Sequence, residues 1–155
     1  MLMVAAFLAT MLVMILVGRV PTEPLTGAAL HDARRRWREA AVRDYDYHYR
    51  MHGSTYDVRV RNGVAAEVTV DGRKPSHVDA ASLTVNGLFD VLALEVENLN
   101  DPHGPFGAQR ETTIARVRFN AALGYVEHYV RSAAGGGRAA SIELIDFNTQ
   151  AARPD

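Results

Sequence analysis

Histidine and aspartate side chains that could do acid–base or metal chemistry gather in one short segment of this chain, Asp44–His52. His48 and His52 would share a helix face, but on a strand four residues separate them by about 13 Å. Because metal–nitrogen bonds are about 2 Å long, the two rings would then not share an ion. Asp46 and His48 lie about 6.7 Å apart on one face of a strand. That pair has two interpretations, a metal or acid–base site and an exposed cross-strand polar pair.

The other candidate side chains are isolated. His103 lies in a loop rich in glycine and proline, where we expect it to be solvated. His128 lies between Glu127 and Tyr129 on a predicted strand, where we expect it to be one of a row of side chains on neighbouring strands. We therefore predict no catalytic residue, and a hydrolase-type enzyme that uses Asp46, His48 and His128 remains an alternative.

Several function classes are disfavoured by composition and motifs. The 155-residue chain has no cysteine, which excludes disulfides, thiolate metal sites and cysteine nucleophiles. It has no Gly-x-Ser-x-Gly elbow, and the glycines of Gly135–Gly137 lack the lysine and helix start of a phosphate loop. The net charge of −1 gives no global attraction for nucleic acid. We predict no cofactor, no metal site and no nucleic-acid partner.

The N-terminal segment Met1–Val17 contains no charge and one polar side chain, and Arg19 closes it. At 1.5 Å per residue it makes a helix of about 26 Å, close to the roughly 30 Å of a bilayer core. We predict a single-pass anchor over residues 1–20 that contacts the lipid bilayer and places the protein at the cell membrane. The alternative is a cleaved signal peptide with a secreted product, for which Thr26-Gly27-Ala28 is the available cleavage site.

Indications of membrane orientation disagree. Arg19 and the cluster Arg34–Arg36 follow the apolar run, so the positive-inside rule puts the folded part in the cytoplasm. The family resemblance described below puts it outside. The cluster itself is either a solvated helix face or a patch that contacts anionic headgroups.

The segment Asp44–His52 also shows the clearest periodicity in the chain. Tyr45, Tyr47 and Tyr49 alternate with charged or imidazole side chains. This alternation predicts a strand with its aromatic face in the core and its charged face in water. Burial also argues against these tyrosines as a stacking platform for nucleotide bases.

Apolar residues set the expected register of the next hairpin. A two-residue Asn62-Gly63 turn would place polar residues of one strand on the apolar face of the other. A three-residue loop that ends at Gly63 instead pairs Val60 with Val64 and Val58 with Ala66. We therefore predict a type I turn plus a bulge, with Gly63 in the left-handed region.

The remaining periodicities complete an α+β fold. An amphipathic helix is predicted over Gly27–Arg43, and a second one from a cap at Ser82 or Thr84 to about Leu99. Gly87 in the second helix is expected to cost about 1 kcal/mol relative to alanine. Further strands are predicted at Thr112–Asn120, about Tyr125–Ser132 and Ser141–Phe147.

These elements imply an N-terminal transmembrane or signal helix followed by an antiparallel sheet of about five to six strands. Two helices pack on one face of that sheet, in the order αβββ-αβββ. We divide the chain into the anchor 1–20, a proline-stiffened linker 21–26, one domain 27–148 and a loose tail 149–155.

A longer pattern connects several of these elements: Ala33…Trp37…Tyr45-Asp46-Tyr47, Tyr56 to Val64 (YDVRVRNGV), Leu88-Phe89 and Asn120…Gly124-Tyr125. It resembles a family of small bacterial exported and lipid-anchored proteins known only as a domain of unknown function. The resemblance spans about residues 30–147 and implies an extracytoplasmic location, with no catalytic residues to carry over. This chain departs from it in lacking the lipid-attachment cysteine and the cysteines after the Tyr-x-Tyr strand, and in having Val126 where proline is common.

The function predicted from the sequence is a membrane-tethered, extracytoplasmic interaction or accessory module with no evident catalytic activity. The alternative is a small-molecule or lipid-binding domain with its ligand between helix 83–99 and the sheet. A deep cavity lined by Tyr45, Tyr47, Phe89 and Phe119 would favour that alternative. The candidate surface for a protein partner comprises Asp46, His48, Arg50, Arg59, Arg116 and Arg118.

Overall fold

The computed structural model describes residues 21–101, 103–133 and 139–149. The predicted anchor 1–20, the glycine tip Gly135–Gly137 and residues 150–155 of the predicted tail lie outside these ranges. Within these ranges there are two α-helices, Gly27–Ala40 (α1) and Val85–Asn100 (α2). The strands are Glu23–Pro24 (β1), Tyr45–Met51 (β2), Ser54–Arg61 (β3), Val64–Val70 (β4), Thr113–Phe119 (β5), Val126–Ala133 (β6) and Ala140–Thr149 (β7).

The described strands form one antiparallel sheet in the order β1-β5-β6-β7-β2-β3-β4. Its two three-stranded halves, β2–β4 and β5–β7, meet through the central β2–β7 pair. The α+β class and the antiparallel sheet are confirmed, but the strands number seven rather than five to six. The additional strand is β1, which lies within the segment 21–26 that we predicted as a linker.

The core lies between the helices and one face of the sheet. Tyr45, Tyr47 and Tyr49 of β2 are 0–2% exposed, as the alternation predicted. Trp37 of α1 makes an edge contact with Tyr45, and Phe89 of α2 lies 6.2 Å from the Phe119 ring of β5. Both helices therefore pack on the same face, which we call the inner face.

Threonine hydroxyls cap both helices. Thr26 accepts a hydrogen bond from the Ala29 N–H at 3.2 Å, and Thr84 accepts one from Gly87 at 3.2 Å. Thr84, one of the two predicted caps, is thus the residue used. The first helix ends at Ala40 rather than Arg43, because Ala41 has a φ of 51° and leaves the helical region.

The predicted register of the β3–β4 hairpin is wrong, although Gly63 has the predicted positive φ of 78°. Arg61 pairs with Val64, so the loop is the two-residue Asn62-Gly63 turn. A register shift between Arg59 and Val60 then restores the apolar phase, so that Val60 faces Ala65 and Val58 faces Val68. A positive φ at Gly63 suits both turn types and therefore does not distinguish them.

Gly87 is a packing requirement rather than a weak point of α2. A Cβ on this residue would lie 2.3 Å from the carbonyl oxygen of Ala81. Ala81 belongs to a 3-10 turn, Ala80–Leu83, that precedes the helix and folds back onto it. The helix and the turn can approach this closely because the residue between them lacks a side chain.

Candidate interaction surface

The face of the sheet opposite the helices, which we call the outer face, carries the predicted partner surface. Asp46, His48 and Arg50 alternate along β2 with the buried tyrosines and therefore point away from the core. Arg116 and Arg118 alternate in the same way with buried residues of β5. Arg59 lies beside Asp46 in the β2–β3 register, which places all six predicted residues on this face.

Ion pairs between neighbouring strands hold most of these side chains. Arg59 pairs with Glu67 at 2.5 Å, and its Nε lies 3.6 Å from Asp46. Asp46 also accepts a hydrogen bond from Arg61 at 2.8 Å. Further pairs are Arg50–Glu143 at 3.3 Å, His48–Asp57 at 3.4 Å and Arg118–Glu127 at 2.8 Å.

These pairs give the outer face a definite charge pattern. Opposite charges alternate from strand to strand, so no large region of one sign arises. The side chains stay accessible nonetheless, because Arg50 and Arg59 are each 53% exposed and Asp46 is 40% exposed. Exposed pairs of this kind stabilise a fold by about 0–1 kcal/mol each. They therefore leave the groups available to a partner that offers matching charges.

Arg116 has a different contact from the other five predicted residues. Its Nε donates to the Thr22 hydroxyl at 2.9 Å, and its guanidinium also donates to the Thr22 carbonyl. The adjoining pairs Glu23–Val117 and Pro24–Arg116 add β1 to the edge of the sheet. Arg116 thus fixes the chain immediately before the domain, a role that the sequence analysis did not assign to it.

The three residues of the hydrolase alternative do not converge. Asp46 and His48 lie on β2, whereas His128 lies on β6, and β7 runs between them. Two strand spacings put the backbones of β2 and β6 roughly 10 Å apart. A shallow depression of about 330 Å³ on the outer face is lined by Asp46, His48 and Asp57, among others, and His128 is not among its lining residues.

Metal ligation gains no support from the described part of the chain, in which no three His, Asp or Glu residues are grouped as a metal site would require. His52, predicted at the end of a strand, lies in the β2–β3 turn with a φ of 52°. His103 is exposed in the loop after α2.

Tyrosine hydroxyls on the inner face serve the packing of the core. The Tyr45 oxygen accepts the Val85 N–H at 3.1 Å, and the Tyr47 hydroxyl donates to the Val126 carbonyl at 2.5 Å. Burial raises the pKa of Tyr45 to about 12, and the bond from Val85 offsets part of that rise. Burial also raises the pKa of Tyr47, with a further increase from the neighbouring Tyr49. These phenols are neutral structural groups.

A partly buried polar cluster lies beneath α2, and we did not predict it from the sequence. Arg131 of β6 forms an ion pair with Glu95 of α2, and the two side chains are only 13% and 15% exposed. The Arg131 guanidinium also lies 4.9 Å from the Phe106 ring centroid. Burial, followed by the Glu95 carboxylate, raises the pKa of Tyr129. The sequence contains a signal for this cluster. Arg131 lies two residues after the inward-facing Tyr129 on the same strand, so its side chain points to the inner face and needs an acidic partner there.

An apolar groove, which we call the α2 groove, runs beside α2 at the open edge of the sheet. It has a volume of about 650 Å³ and lies between α2, the 3-10 turn and the start of β4. Three of its lining residues are exposed hydrophobics, Val64 at 67%, Leu94 at 59% and Val91 at 38%. It differs from the cavity considered in the sequence analysis, because Tyr45, Tyr47 and Phe89 are at most 2% exposed within the packed core and Phe119 is 7% exposed.

Comparison of the chain with protein-family models, with curated proteins and with solved structures gave no match. The resemblance to exported and lipid-anchored proteins therefore rests on the sequence pattern alone. Within the residues that the structure describes, no helix has the length and apolar character needed to cross a membrane.

Proposed function

We propose that this protein is a membrane-tethered, extracytoplasmic interaction module without catalytic activity, and that it presents the outer face of its sheet to a protein partner. The observation that carries the proposal is the outer face itself. It holds ordered and accessible charges at fixed strand spacings, whereas the candidate catalytic residue His128 is separated by strand β7 from Asp46 and His48 on β2.

Retention of the N-terminal segment is supported by what cleavage would remove. Cleavage after Ala28 would delete β1, whose neighbour Leu25 is 7% exposed and donates its N–H to the Ala115 carbonyl at 3.0 Å. It would also delete Thr26 and with it the cap of α1. Capping residues and buried leucines each contribute about 1–3 kcal/mol to a fold. A processed chain that starts at Ala29 would therefore be a weakened domain.

The charge pattern suggests the chemistry of the partner. A partner that is mostly apolar would desolvate several ion pairs of this face, and the desolvation penalty of a buried pair can exceed its Coulombic attraction. A polar protein surface with its own alternating charges would satisfy them and would gain orientation as well. Exposed Ile114 on the same face supplies an apolar contact at the edge of that surface.

The proposal is tested by photo-crosslinking in native membranes with the full-length protein. A photoreactive residue at Ile114 samples the outer face, and one at Leu94 is the matched control, since both side chains are 59% exposed. We expect a discrete protein adduct from position 114 and none of that mass from position 94. Equal adducts at both positions, or none at either, would overturn the assignment of the outer face.

Two further measurements test the tether. Intact-mass analysis of membrane-extracted protein is expected to show a chain that starts at Met1, and a chain that starts at Ala29 would contradict anchoring. Because the chain has no cysteine, a single Ile114→Cys variant reports orientation through an impermeant thiol reagent. Labelling of intact cells stripped of any outer envelope supports the extracytoplasmic side, and labelling only after lysis contradicts it.

A second candidate function is the binding of an apolar ligand or lipid, which the α2 groove favours. This groove borders the helix named in the sequence-based alternative, although its lining residues differ from those expected. Leu94→Asp should abolish binding of an environment-sensitive apolar dye, while Ile114→Asp should leave it unchanged. If both variants bind the dye like the parent protein, the groove is not a ligand site.

A further inference from the structure

The junction between the predicted anchor and the domain contains almost no free chain. Thr22 is held by Arg116, and Glu23 and Pro24 are paired with β5. Pro21 alone separates the fixed residue Thr22 from Val20, where the predicted anchor ends. Two residues span at most about 7 Å. A domain joined this closely to a membrane helix has little freedom to tumble.

The direction of the chain at the junction identifies which end of the sheet meets the membrane. β1 is antiparallel to β5, with Glu23 opposite Val117 and Pro24 opposite Arg116. From Pro24 back to Thr22, the chain therefore extends in the direction of Phe119, which is the C-terminal end of β5. The end of the sheet that lies there contains the β5–β6 turn, residues 120–124. We call it the junction end.

The C-terminal half of α1 lies at the same end. Gly124 approaches α1 so closely that a Cβ would lie 2.2 Å from the Ala33 carbonyl oxygen and 3.2 Å from the Arg36 Cβ. Farther along, the Arg43 carbonyl accepts the Gly63 N–H at 2.8 Å. Ala121 and Ala122 at the tip of the turn are exposed and uncharged. The junction end thus offers a small-residue tip beside Arg36 of α1. Arg43, which follows α1, lies at the same end of the sheet but beside the β3–β4 turn.

We propose that the domain is docked on the bilayer, with the β5–β6 turn, the neighbouring Arg36 and, farther across the same end of the sheet, Arg43 resting on phospholipid headgroups. This inference rests on the proposed function, because it requires that residues 1–20 stay in the membrane. Because the junction is short, the turn lies at the level of the lipid headgroups. Anionic headgroups there complement the positive charge of the arginines. The interpretation of the arginine-rich helix as a lipid-facing patch is thereby assigned to the part of α1 that lies beside the turn.

Docking at the junction end also orients the outer face. The strands of the sheet would then rise away from the membrane, so the outer face would stand beside the bilayer rather than against it. A partner that binds this face would be a second protein in or on the same membrane, and the far end of the sheet would point into the aqueous phase.

The test uses two single-cysteine variants of the full-length protein in vesicles of phosphatidylcholine and phosphatidylglycerol. Ala122→Cys lies in the turn at the junction end, and Ser132→Cys lies on the same hairpin near the far end of β6. Six residues of strand, from Val126 to Ser132, put the two labels about 20 Å apart. A fluorophore on each cysteine is exposed to a quencher attached to lipid headgroups.

We expect at least severalfold stronger quenching at position 122 than at position 132. Insertion of a flexible Gly/Ser segment between Val20 and Pro21 should reduce that ratio, because it supplies the freedom that the native junction lacks. Equal quenching at the two positions, or stronger quenching at 132, would overturn the docked arrangement.

Failure of this inference is distinguishable from failure of the proposed function. Flotation of the vesicles first shows whether the full-length protein is retained by lipid. Protein that does not float contradicts the tether and the docked arrangement together. Protein that floats but shows equal quenching contradicts only the docked arrangement and leaves the tether supported.

Discussion

Gly124→Ala tests whether the β5–β6 turn packs closely against α1. The docked arrangement requires this packing, because it places Arg36 beside the turn. Two costs add at this residue. Its φ is 87°, a region that costs an alanine about 1–2 kcal/mol, partly offset by a stiffer unfolded chain. Its Cβ would also lie 2.2 Å from the Ala33 carbonyl oxygen, so α1 or the turn must move, and such overpacking typically costs 1–3 kcal/mol. We expect a loss of about 3 kcal/mol in the free energy of unfolding.

Gly63→Ala is the matched control, because Gly63 also has a positive φ of 78° but meets no atom within 4 Å of the added Cβ. It should lose only about 1 kcal/mol. Urea unfolding of the full-length protein in detergent, followed by the fluorescence of Trp37, measures both. Trp37 is the only tryptophan and packs in the core against Tyr45, so its signal reports the docking of α1. Losses for the two variants that agree within about 0.5 kcal/mol would refute the close packing of turn and helix.

Three other variants or conditions test the core. Thr84→Ala should destabilise the protein by about 1 kcal/mol through loss of the bond to the Gly87 N–H, and urea unfolding checks this. Arg131→Met should cost about 3 kcal/mol because it removes the cation that faces the partly buried Glu95 carboxylate, and adding Glu95→Leu should recover most of the loss. The pKa of Tyr45 in the folded protein is raised to about 12, so the neutral phenol stabilises the folded state. This contribution to the free energy of unfolding is complete below pH 10 and is lost as the pH rises towards 12. An absorbance titration of the phenols should therefore show ionisation together with unfolding.

The parts of the fold that follow from local alternation could be predicted from the sequence. Tyr45, Tyr47 and Tyr49 are buried because one face of a strand repeats every second residue, and that period is visible without any partner strand. The same reasoning places Asp46 and His48 on the opposite face. Which carboxylate each cation pairs with could not be predicted, since it depends on the register between strands that are distant in the sequence.

The hairpin register failed for a specific physical reason. The prediction assumes that apolar and polar residues alternate without interruption through β4, whereas the structure has one extra residue at Ala66, after which the alternation changes phase. Alanine fits either face of a sheet, so its hydrophobicity did not mark the position of the bulge. Gly63 was informative only about the sign of φ, which both turn types share.

Short pairing at a sheet edge is the other feature that escapes sequence reasoning, and here it bears most on function. A proline-containing segment of two residues has no periodicity, so the sequence predicts Glu23–Pro24 as part of a proline-stiffened linker and not as a strand. Proline is nonetheless compatible with an edge strand, where its missing N–H faces solvent. Once Glu23 and Pro24 belong to the sheet, the segment next to the predicted anchor is a rigid connection. In the proposed docked arrangement, the predicted anchor would set the orientation of the outer face as well as its location. Partner selection would then depend on which surface stands beside the bilayer, since Asp46, His48 and His128 do not converge on one site.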